Sequence, residues 1–174
     1  MAINALHMND LDEYKENIRL HGMMCGQYGQ ALDSFSSNKQ LADIAMGVQA
    51  FDTLCVSIAN GWGISPEYIC ARLKNFINGK YVSEQKGYKS KMYCRFKGDV
   101  TSDTSAILLI DCDVDLRVPN WSISEIYCVG KCNINVTGSG RVVFICYGYP
   151  NDIVITGSCG NMKRINKKEA DTNG

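Results

Sequence analysis

Three consecutive segments between residues 105 and 159 share one pattern of apolar residues, and this repeat is the strongest constraint on the fold. The segments read SAILLIDCDVDLRVPNW, SEIYCVGKCNINVTGSG and RVVFICYGYPNDIVITGSC. At spacings of 18 and then 19 residues they align in two columns: Leu116, Ile134 and Ile153; and Val118, Val136 and Ile155. Two further columns, at spacings of 18 and then 17 residues, are Leu108, Ile126 and Val143; and Ile110, Cys128 and Ile145. A repeat of about 18 residues holding two short strands is typical of a β-solenoid, in which equivalent positions stack at about 4.8 Å. The recurrence in register favours stacked coils from about Ala106 to about Ile165 over the alternative, an antiparallel meander of hairpins.

The two strands of each repeat differ in how they alternate. In the second strand every other residue is polar, as in Asp115 and Arg117, which predicts one face in water. The first strand is apolar on both faces, because Leu109, Tyr127 and Phe144 fill the positions between the core columns. A strand of that kind must be covered on both sides. Either the helices or a second copy of the chain can cover this stripe. In the second case the three residues form an interface, and a homo-oligomer is predicted, with a trimer slightly ahead of a dimer.

The first 79 residues predict a subdomain of three helices. The first begins near Asp10. The second has an apolar face at three- and four-residue steps from Leu41 to Ile58 and ends at Asn60-Gly61. The third begins at Ser65-Pro66, a cap residue followed by proline at the first helical position. The chain is therefore predicted as an α+β protein with a helical subdomain (1–79), a connector containing a strand (80–105), a repetitive β subdomain (106–165) and a mobile polar tail (166–174).

Composition excludes several classes of function. The chain has 18 basic and 18 acidic residues, so no global charge directs it to long nucleic acids or to a membrane surface. No apolar run reaches the roughly 20 residues of a membrane span, and the N-terminus lacks the pattern of a signal peptide. These features predict a protein kept in a cytoplasm. The nine cysteines are an odd number spread through the chain, which favours reduced, mostly buried thiols over a disulfide framework.

No familiar catalytic, cofactor or metal motif is present. The sequence lacks GxSxG, GxxxxGK[ST], GxGxxG and HExxH, and its only histidines are His7 and His21. Asp111, Asp113 and Asp115 alternate along a strand, but the glycine and spacing of a calcium loop are missing, so a solvated strand face is favoured. Cys128 and Cys132 form a CxxxC without the further ligands of a zinc site. The chain is predicted to be a non-enzymatic protein without metal or cofactor.

The segment 80–97 combines basic and aromatic residues. Cations neutralise phosphates and aromatic rings stack on bases, which is how proteins hold nucleotides. The segment predicts a binding site for a nucleotide or another small anionic ligand, formed by Lys86, Tyr88, Lys89, Lys91, Tyr93 and Arg95. A solvated linker with its aromatic residues buried on one side is the alternative.

The order of these features resembles a loose group of mostly uncharacterised small proteins from phages and prophages of gut Bacteroidetes. The resemblance covers roughly residues 25–157 and rests on LADIAMGVQAFDTLC, GISPEYICARLKNFINGKYV and repeats such as SEIYCVGKCNINVTGSG. It implies a viral setting, in the virion or in the cytoplasm of a bacterial host, and assigns no functional residue. Two functions follow as hypotheses. One is a virion structural or attachment component that self-associates and docks on other virion proteins. The other is an intracellular module that sequesters a small anionic signalling ligand.

Overall fold

The chain forms a layer of helices packed on one side of a β-solenoid. A computed structural model describes residues 2–23 and 25–167. Its α-helices are α1 (Ala2–Leu20), α2 (Gly26–Ser34), α3 (Asn38–Ala45), α4 (Ala50–Asn60) and α5 (Pro66–Arg72), and one short 3₁₀ helix spans Pro150–Asp152. The predicted combination of helices with stacked strands is confirmed, but the prediction of three helices is wrong.

The second predicted helix is two helices that meet at a bend. The axes of α3 and α4 make an angle of 93°. Between them the chain passes through Gly47 and through Gln49, whose φ of 69° lies in the left-handed region and cannot continue a helix. The bend turns Val48, a member of the predicted apolar face, out of the core, where it is 61% exposed. Since the apolar period runs on through the bend, periodicity alone could not reveal the break.

Ten strands build the solenoid. They are β1 (Ser83–Gln85), β2 (Tyr88–Cys94), β3 (Lys97–Thr101), β4 (Ala106–Ile110), β5 (Asp113–Val118), β6 (Ile123–Val129), β7 (Cys132–Gly138), β8 (Arg141–Tyr147), β9 (Ile153–Gly157) and β10 (Asn161–Lys167). Sheet A has the order β1-β2-β4-β6-β8-β10, and sheet B has the order β3-β5-β7-β9. Every pairing except β1 with β2 is parallel. The stacked coils are therefore confirmed, and the antiparallel meander is excluded for the described strands.

The predicted register of the coils is wrong, although most of the predicted core residues are buried. In sheet B, Leu116 pairs with Val136 instead of Ile134, and Ile134 pairs with Ile155 instead of Ile153. The register differs because the connections from sheet B back to sheet A have unequal lengths: four residues join β5 to β6, whereas two join β7 to β8. The predicted alignment placed all of the length difference near Tyr147–Asp152 and so missed this second insertion.

The coils also begin earlier than predicted. The segment 80–105, expected as a connector, contains β1, β2 and β3, and the last two pair with β4 and β5 as the first coil. At the other end β10 continues the coils to Lys167, two residues past the predicted end. Most of the predicted mobile tail, residues 168–174, lies outside the described residues.

The predicted apolar stripe does not exist as one surface. Leu109 and Phe144 face the solenoid interior, whereas Tyr127 faces the helices, because the true register shifts the strands of sheet A by one residue against the predicted columns. All three side chains are buried within a single chain. Helix α4 covers β6 and β8, and the ring of Phe51 meets that of Tyr127 at 5.6 Å. The helices thus cover the doubly apolar strands, and the predicted interface is wrong.

Both ends of one interior column carry a cation. Following the pairing through sheet A, the column runs Lys91, Ile107, Ile126, Phe144 and Arg164. The Lys91 ammonium donates to the Thr101 carbonyl at 2.9 Å and pairs with Asp103 at 2.6 Å. The Arg164 guanidinium donates to the Ile153 carbonyl at 2.9 Å. Polar side chains at the terminal coils let the apolar stack end in water, as solenoid ends require.

Candidate ligand-binding groove

The six residues of the predicted anion site do not form one surface. Side chains of successive strand residues alternate between faces, so β2 sends them to opposite sides of sheet A. Lys91 and Tyr93 are buried in the solenoid interior, and Lys91 is neutralised by Asp103. Tyr88 packs partly buried under the helices.

The remaining three members of that site are accessible but separated. Lys86 lies in the turn between β1 and β2, Lys89 projects from β2, and Arg95 lies at the corner that follows β2. The predicted basic and aromatic patch is therefore wrong as a single site. Arg95 alone of the six lines the groove described next.

A groove of about 490 Å³ runs along the corner of the solenoid where each coil passes from sheet A to sheet B. Four successive coils contribute to its lining. Its charged residues are the cations Arg95, Lys97 and Lys131 and the carboxylates Asp111, Asp113 and Asp152. The amides of Asn133 and Asn151 and the apolar side chains of Phe96 and Val154 complete most of the surface. The formal charges of this set balance.

A repeated backbone feature positions these side chains. The residue that follows each of β2, β4, β6 and β8 has a left-handed φ: 54° at Arg95, 50° at Asp111, 79° at Gly130 and 97° at Gly148. One left-handed residue turns the chain sharply at the same point of every coil. In the first three coils the next two or three residues then line the corner, and in the fourth coil Asn151, Asp152 and Val154 do so. A side chain at Gly130 would collide with the Asp111 carboxylate, and glycine is needed there for space as well as for conformation.

The charged side chains on one side of the groove form ion pairs with each other and with α5, whereas those on the other side form weaker pairs or none. Arg95 hydrogen-bonds Glu67 of α5 and lies 3.9 Å from Asp111. The hydrogen bond from Arg95 lowers the pKa of the Glu67 carboxyl. Asp111 also accepts the main-chain N–H of Lys131 at 3.0 Å.

On the less paired side, Lys97 lies 4.0 Å from Asp113 and is 86% exposed, so this ion pair is weak. The Lys131 ammonium has no ion-pair partner among the described residues. The groove thus presents both cations and carboxylates that can still bind a ligand.

Two thiols at the base of the groove, those of Cys112 and Cys132, are unreactive at neutral pH. Burial raises the pKa of Cys112 to about 11 and that of Cys132 to about 12. At neutral pH both remain protonated, and a protonated thiol is a poor nucleophile and a poor metal ligand. The other half of the CxxxC pair, Cys128, faces the solenoid interior, and burial raises its pKa as well.

The described residues contain no group of three or more histidine, cysteine or acidic side chains arranged to hold a metal ion. Of the alternating aspartates, Asp113 and Asp115 project into solvent from sheet B, whereas Asp111 lies in the corner before that strand. Nine free cysteines are present, and six of them are buried, namely Cys55, Cys94, Cys112, Cys128, Cys132 and Cys146.

A second cavity of about 360 Å³ lies on the helical side, between α3 and the segment before it. Its one acidic residue, Asp43, is already bonded to Lys39 at 3.0 Å and to Ser83 at 2.8 Å. Its polar groups are therefore engaged in holding α3 to β1. The corner groove, in which Lys131 has no ion-pair partner among the described residues and Lys97 and Asp113 are exposed and weakly paired, is the better candidate for a binding site.

Comparison with protein-family models, with curated proteins and with solved structures gives no match. The resemblance to phage proteins therefore stays a prediction. Among the described helices none is by itself long and apolar enough to cross a membrane, and only the bent pair α3 and α4 reaches that composition together.

Sequence reasoning missed the groove because its residues are far apart in the chain. Asp111, Lys131 and Asp152 follow one another at intervals of 20 and 21 residues and belong to no motif. A usable signal was nevertheless present: Gly130 and Gly148 each follow an apolar strand directly, as Asp111 does. Recognising these residues as equivalent left-handed corners would have aligned the coils and brought the charged residues together.

Proposed function

We propose that the protein is a non-enzymatic recognition module whose corner groove binds a neutral, polyhydroxylated ligand, a short oligosaccharide. The observation that carries this proposal is the composition of the groove. Three cations, three carboxylates and two amides line one open surface, and their formal charges balance. Ligand sites in general combine apolar contact with a few placed polar groups.

The mixture of donors and acceptors suits hydroxyl groups. Each sugar hydroxyl both donates and accepts, so it can bond a carboxylate of Asp113 or Asp152 and an ammonium of Lys97 or Lys131 at once. The exposed side chain of Val154 offers apolar surface to the C–H face of a sugar ring. A ligand of this kind uses every type of side chain that the groove presents.

A nucleotide or another compact anion fits this surface less well. It would meet three carboxylates together with the three cations, and like charges at close range oppose binding. The residues that favoured an anion are also dispersed, because Lys91 and Tyr93 lie in the core. Binding of a small anionic ligand would instead be detected by a thermal-shift screen of nucleotides.

The solenoid supplies a preorganised surface. The corners that line the groove are joined by main-chain hydrogen bonds, among them Arg95 N–H to the Ile110 carbonyl at 2.8 Å and Asn133 N–H to the Cys112 carbonyl at 2.8 Å. The main chain of the groove is therefore fixed before a ligand binds, which favours affinity. The thiols that line the groove are protonated at neutral pH, so neither supplies a thiolate nucleophile.

Such binding suits an attachment component of a phage particle, in which the groove would contact saccharides of a host surface. The support for that setting is the resemblance noted from the sequence. The predicted trimer no longer has an apolar stripe in its favour, since the helices cover those strands.

The test is an array of bacterial and plant oligosaccharides, followed by calorimetry on the saccharides that bind and a thermal-shift screen of nucleotides. Lys131→Ala and Asp113→Ala should each weaken saccharide binding about tenfold or more, the loss of one charge-assisted hydrogen bond. Arg117→Ala is the matched control, because Arg117 is exposed on sheet B but does not line the groove.

Three results would contradict the proposal. They are binding of nucleotides in place of saccharides, saccharide binding that both groove substitutions leave unchanged, and shortening of the bound saccharide over time. The last result, visible by chromatography, would make the protein an enzyme.

A further inference from the structure

The last strand of sheet A has an open edge. All seven residues of β10 pair with β8 on one side, and no described strand follows on the other. Asn161 N–H donates to the Gly140 carbonyl, which places Asn161, Lys163, Ile165 and Lys167 as the residues that bond β8. In a parallel ladder the intervening residues direct their main-chain groups outward. The open edge therefore presents the N–H and C=O groups of Met162, Arg164 and Asn166.

The charged side chains of this edge strand are all cations. Lys163 and Lys167 are exposed, and neither forms an ion pair with any described residue. The third cation, Arg164, is held by the carbonyls of Ile153 and Pro150 across the end of the solenoid. β10 itself contains no acidic residue.

Apolar side chains lie beside these cations. Met162 of β10 is 39% exposed, and Ile165, which lies between Lys163 and Lys167 along β10, is partly exposed. Alternating main-chain groups, cations and apolar contacts are the features by which a sheet edge accepts an extended segment as an added strand.

The geometry points to β10 as a docking edge for an extended acidic segment of a partner protein, which adds to sheet A as its next strand. The partner's main chain would bond Met162, Arg164 and Asn166, and its carboxylates would neutralise Lys163 and Lys167. In a segment that alternates acidic and apolar residues, the carboxylates would lie on the face of Lys163 and Lys167, and the apolar side chains would lie on the face of Met162. This inference is independent of the ligand proposed for the groove, which lies at the corner of the solenoid.

A second copy of this chain is a poorer occupant of the edge. Two β10 strands paired antiparallel about their centres would place Arg164 opposite its counterpart, and the two strands together would bring six cations into one ladder. Like charges directly opposite each other are destabilising in sheets. Lysine on an edge strand also hinders pairing between copies while leaving the edge open to an acidic partner.

The experiment uses the full chain and eight-residue probe peptides in which valine alternates with glutamate, compared with peptides in which lysine replaces glutamate. Binding is followed by amide NMR and by hydrogen exchange. We expect the glutamate peptides to bind about tenfold or more tightly than the lysine peptides. They should also slow exchange of the Met162, Arg164 and Asn166 amides.

Two variants locate the contact. Lys163→Glu/Lys167→Glu should reverse the preference between the peptides. Asn166→Pro should weaken binding of both, because it removes one outward N–H but none of the hydrogen bonds to β8. The matched control Lys97→Glu/Lys131→Glu changes net charge equally and should leave peptide binding at β10 unchanged.

The inference is overturned if the two peptides bind alike, if the protected amides lie elsewhere, or if the charge reversal has no effect. It is equally overturned if light scattering shows that copies associate and the Lys163→Glu/Lys167→Glu variant does not, since a second copy would then occupy the edge.

Discussion

The two sheets of the solenoid are wound from the same coils but are buried differently. The central strands of sheet A are covered on both faces, with the solenoid interior on one side and the helices on the other, whereas the edge strand β10 is exposed. β4 accordingly has five buried residues in succession. Sheet B is covered on one face only, and β5 alternates exposed and buried residues from Asp113 to Val118. The difference shows that a strand's pattern reports how many layers cover it.

The comparison also explains why the predicted oligomer lost its support. An apolar outer face requires a cover, but the sequence does not state which part of which chain supplies it. In this protein α4 lies against β6 and β8, and α5 lies against β2. The helical subdomain is therefore the second layer of sheet A, and the two halves of the chain share one apolar core.

The largest expected effect on the free energy of unfolding comes from substitutions that remove a buried side chain on either face of sheet A. Leu108 and Leu109 are adjacent, point to opposite faces and are both fully buried. Leu108→Ala and Leu109→Ala should each lower the free energy of unfolding by about 2–5 kcal/mol, because each leaves a cavity. Urea denaturation followed by circular dichroism measures both. A cost below about 1 kcal/mol for Leu108→Ala would mean that the helices do not pack on this face.

A smaller effect is expected at the end of sheet A, where Lys91 caps the interior. Lys91→Met keeps the bulk of the side chain but removes the bonds to Thr101 and Asp103. We expect a loss of about 1–3 kcal/mol, as for a hydrogen bond to a charged group. Lys89→Met is the matched control on the same strand and should change stability by about 0.5 kcal/mol or less. Equal effects of the two substitutions would contradict the capping role.

The interior between the two sheets should make stability depend on alkaline pH. Burial raises the pKa of Cys112 to about 11 and of Cys132 to about 12, so the folded protein keeps protons that the unfolded chain releases near pH 9. Stability is full below that pH and falls above it, by about 1.4 kcal/mol per pH unit for each thiol until its folded pKa is reached.

Denaturation at several values between pH 8 and 10.5 measures this slope. Cys112→Ala/Cys132→Ala should reduce the slope, which the other buried thiols then still maintain in part, whereas Cys25→Ala, which changes an exposed cysteine, should leave it unaltered. A slope that is the same in all three proteins would mean that the solenoid interior is accessible to water at these positions.

The smallest effect is expected on the outer face of sheet B. Asn135 is exposed, and its side chain donates to Asp115 on the neighbouring strand at 3.3 Å. Asn135→Ala should change the free energy of unfolding by about 0.5 kcal/mol or less, since the contact is weak and solvated. A loss above about 1.5 kcal/mol would indicate that this face is covered in solution and would remove the contrast between the sheets.

Much of the architecture was predictable from local sequence. The Ser65 hydroxyl accepts the Tyr68 N–H at 3.1 Å, so α5 begins at the predicted cap. The residues that suggested the coils all face the solenoid interior from sheet B. They are Leu116, Ile134 and Ile153. The side that a residue faces follows from period-two alternation, and an error of two residues in register does not change it.

The candidate site was much less predictable. Of the six residues predicted to bind a ligand, only Arg95 lines the groove, because charge along a segment does not reveal which side of a strand each residue occupies. Lys91 illustrates the difference: it reads as part of a basic patch, but the pairing of β2 with β4 turns it into the interior. The charges that do converge come from different coils and meet only through the register.

The sequence by itself determined that helices precede a repetitive β half, favoured stacked coils, and showed that the first strand of each predicted repeat is apolar on both faces and the second on one. Hydrophobic period and residues at helix ends are local properties, so they can be read along the chain. Only the tertiary structure decided the register of the coils, the bend between α3 and α4, the use of the helices as the second cover, and the groove at the corner. These features depend on loop lengths and on contacts between residues that are distant in the chain. Such contacts contribute free energy only in the packed chain, so no local stretch of sequence reveals them.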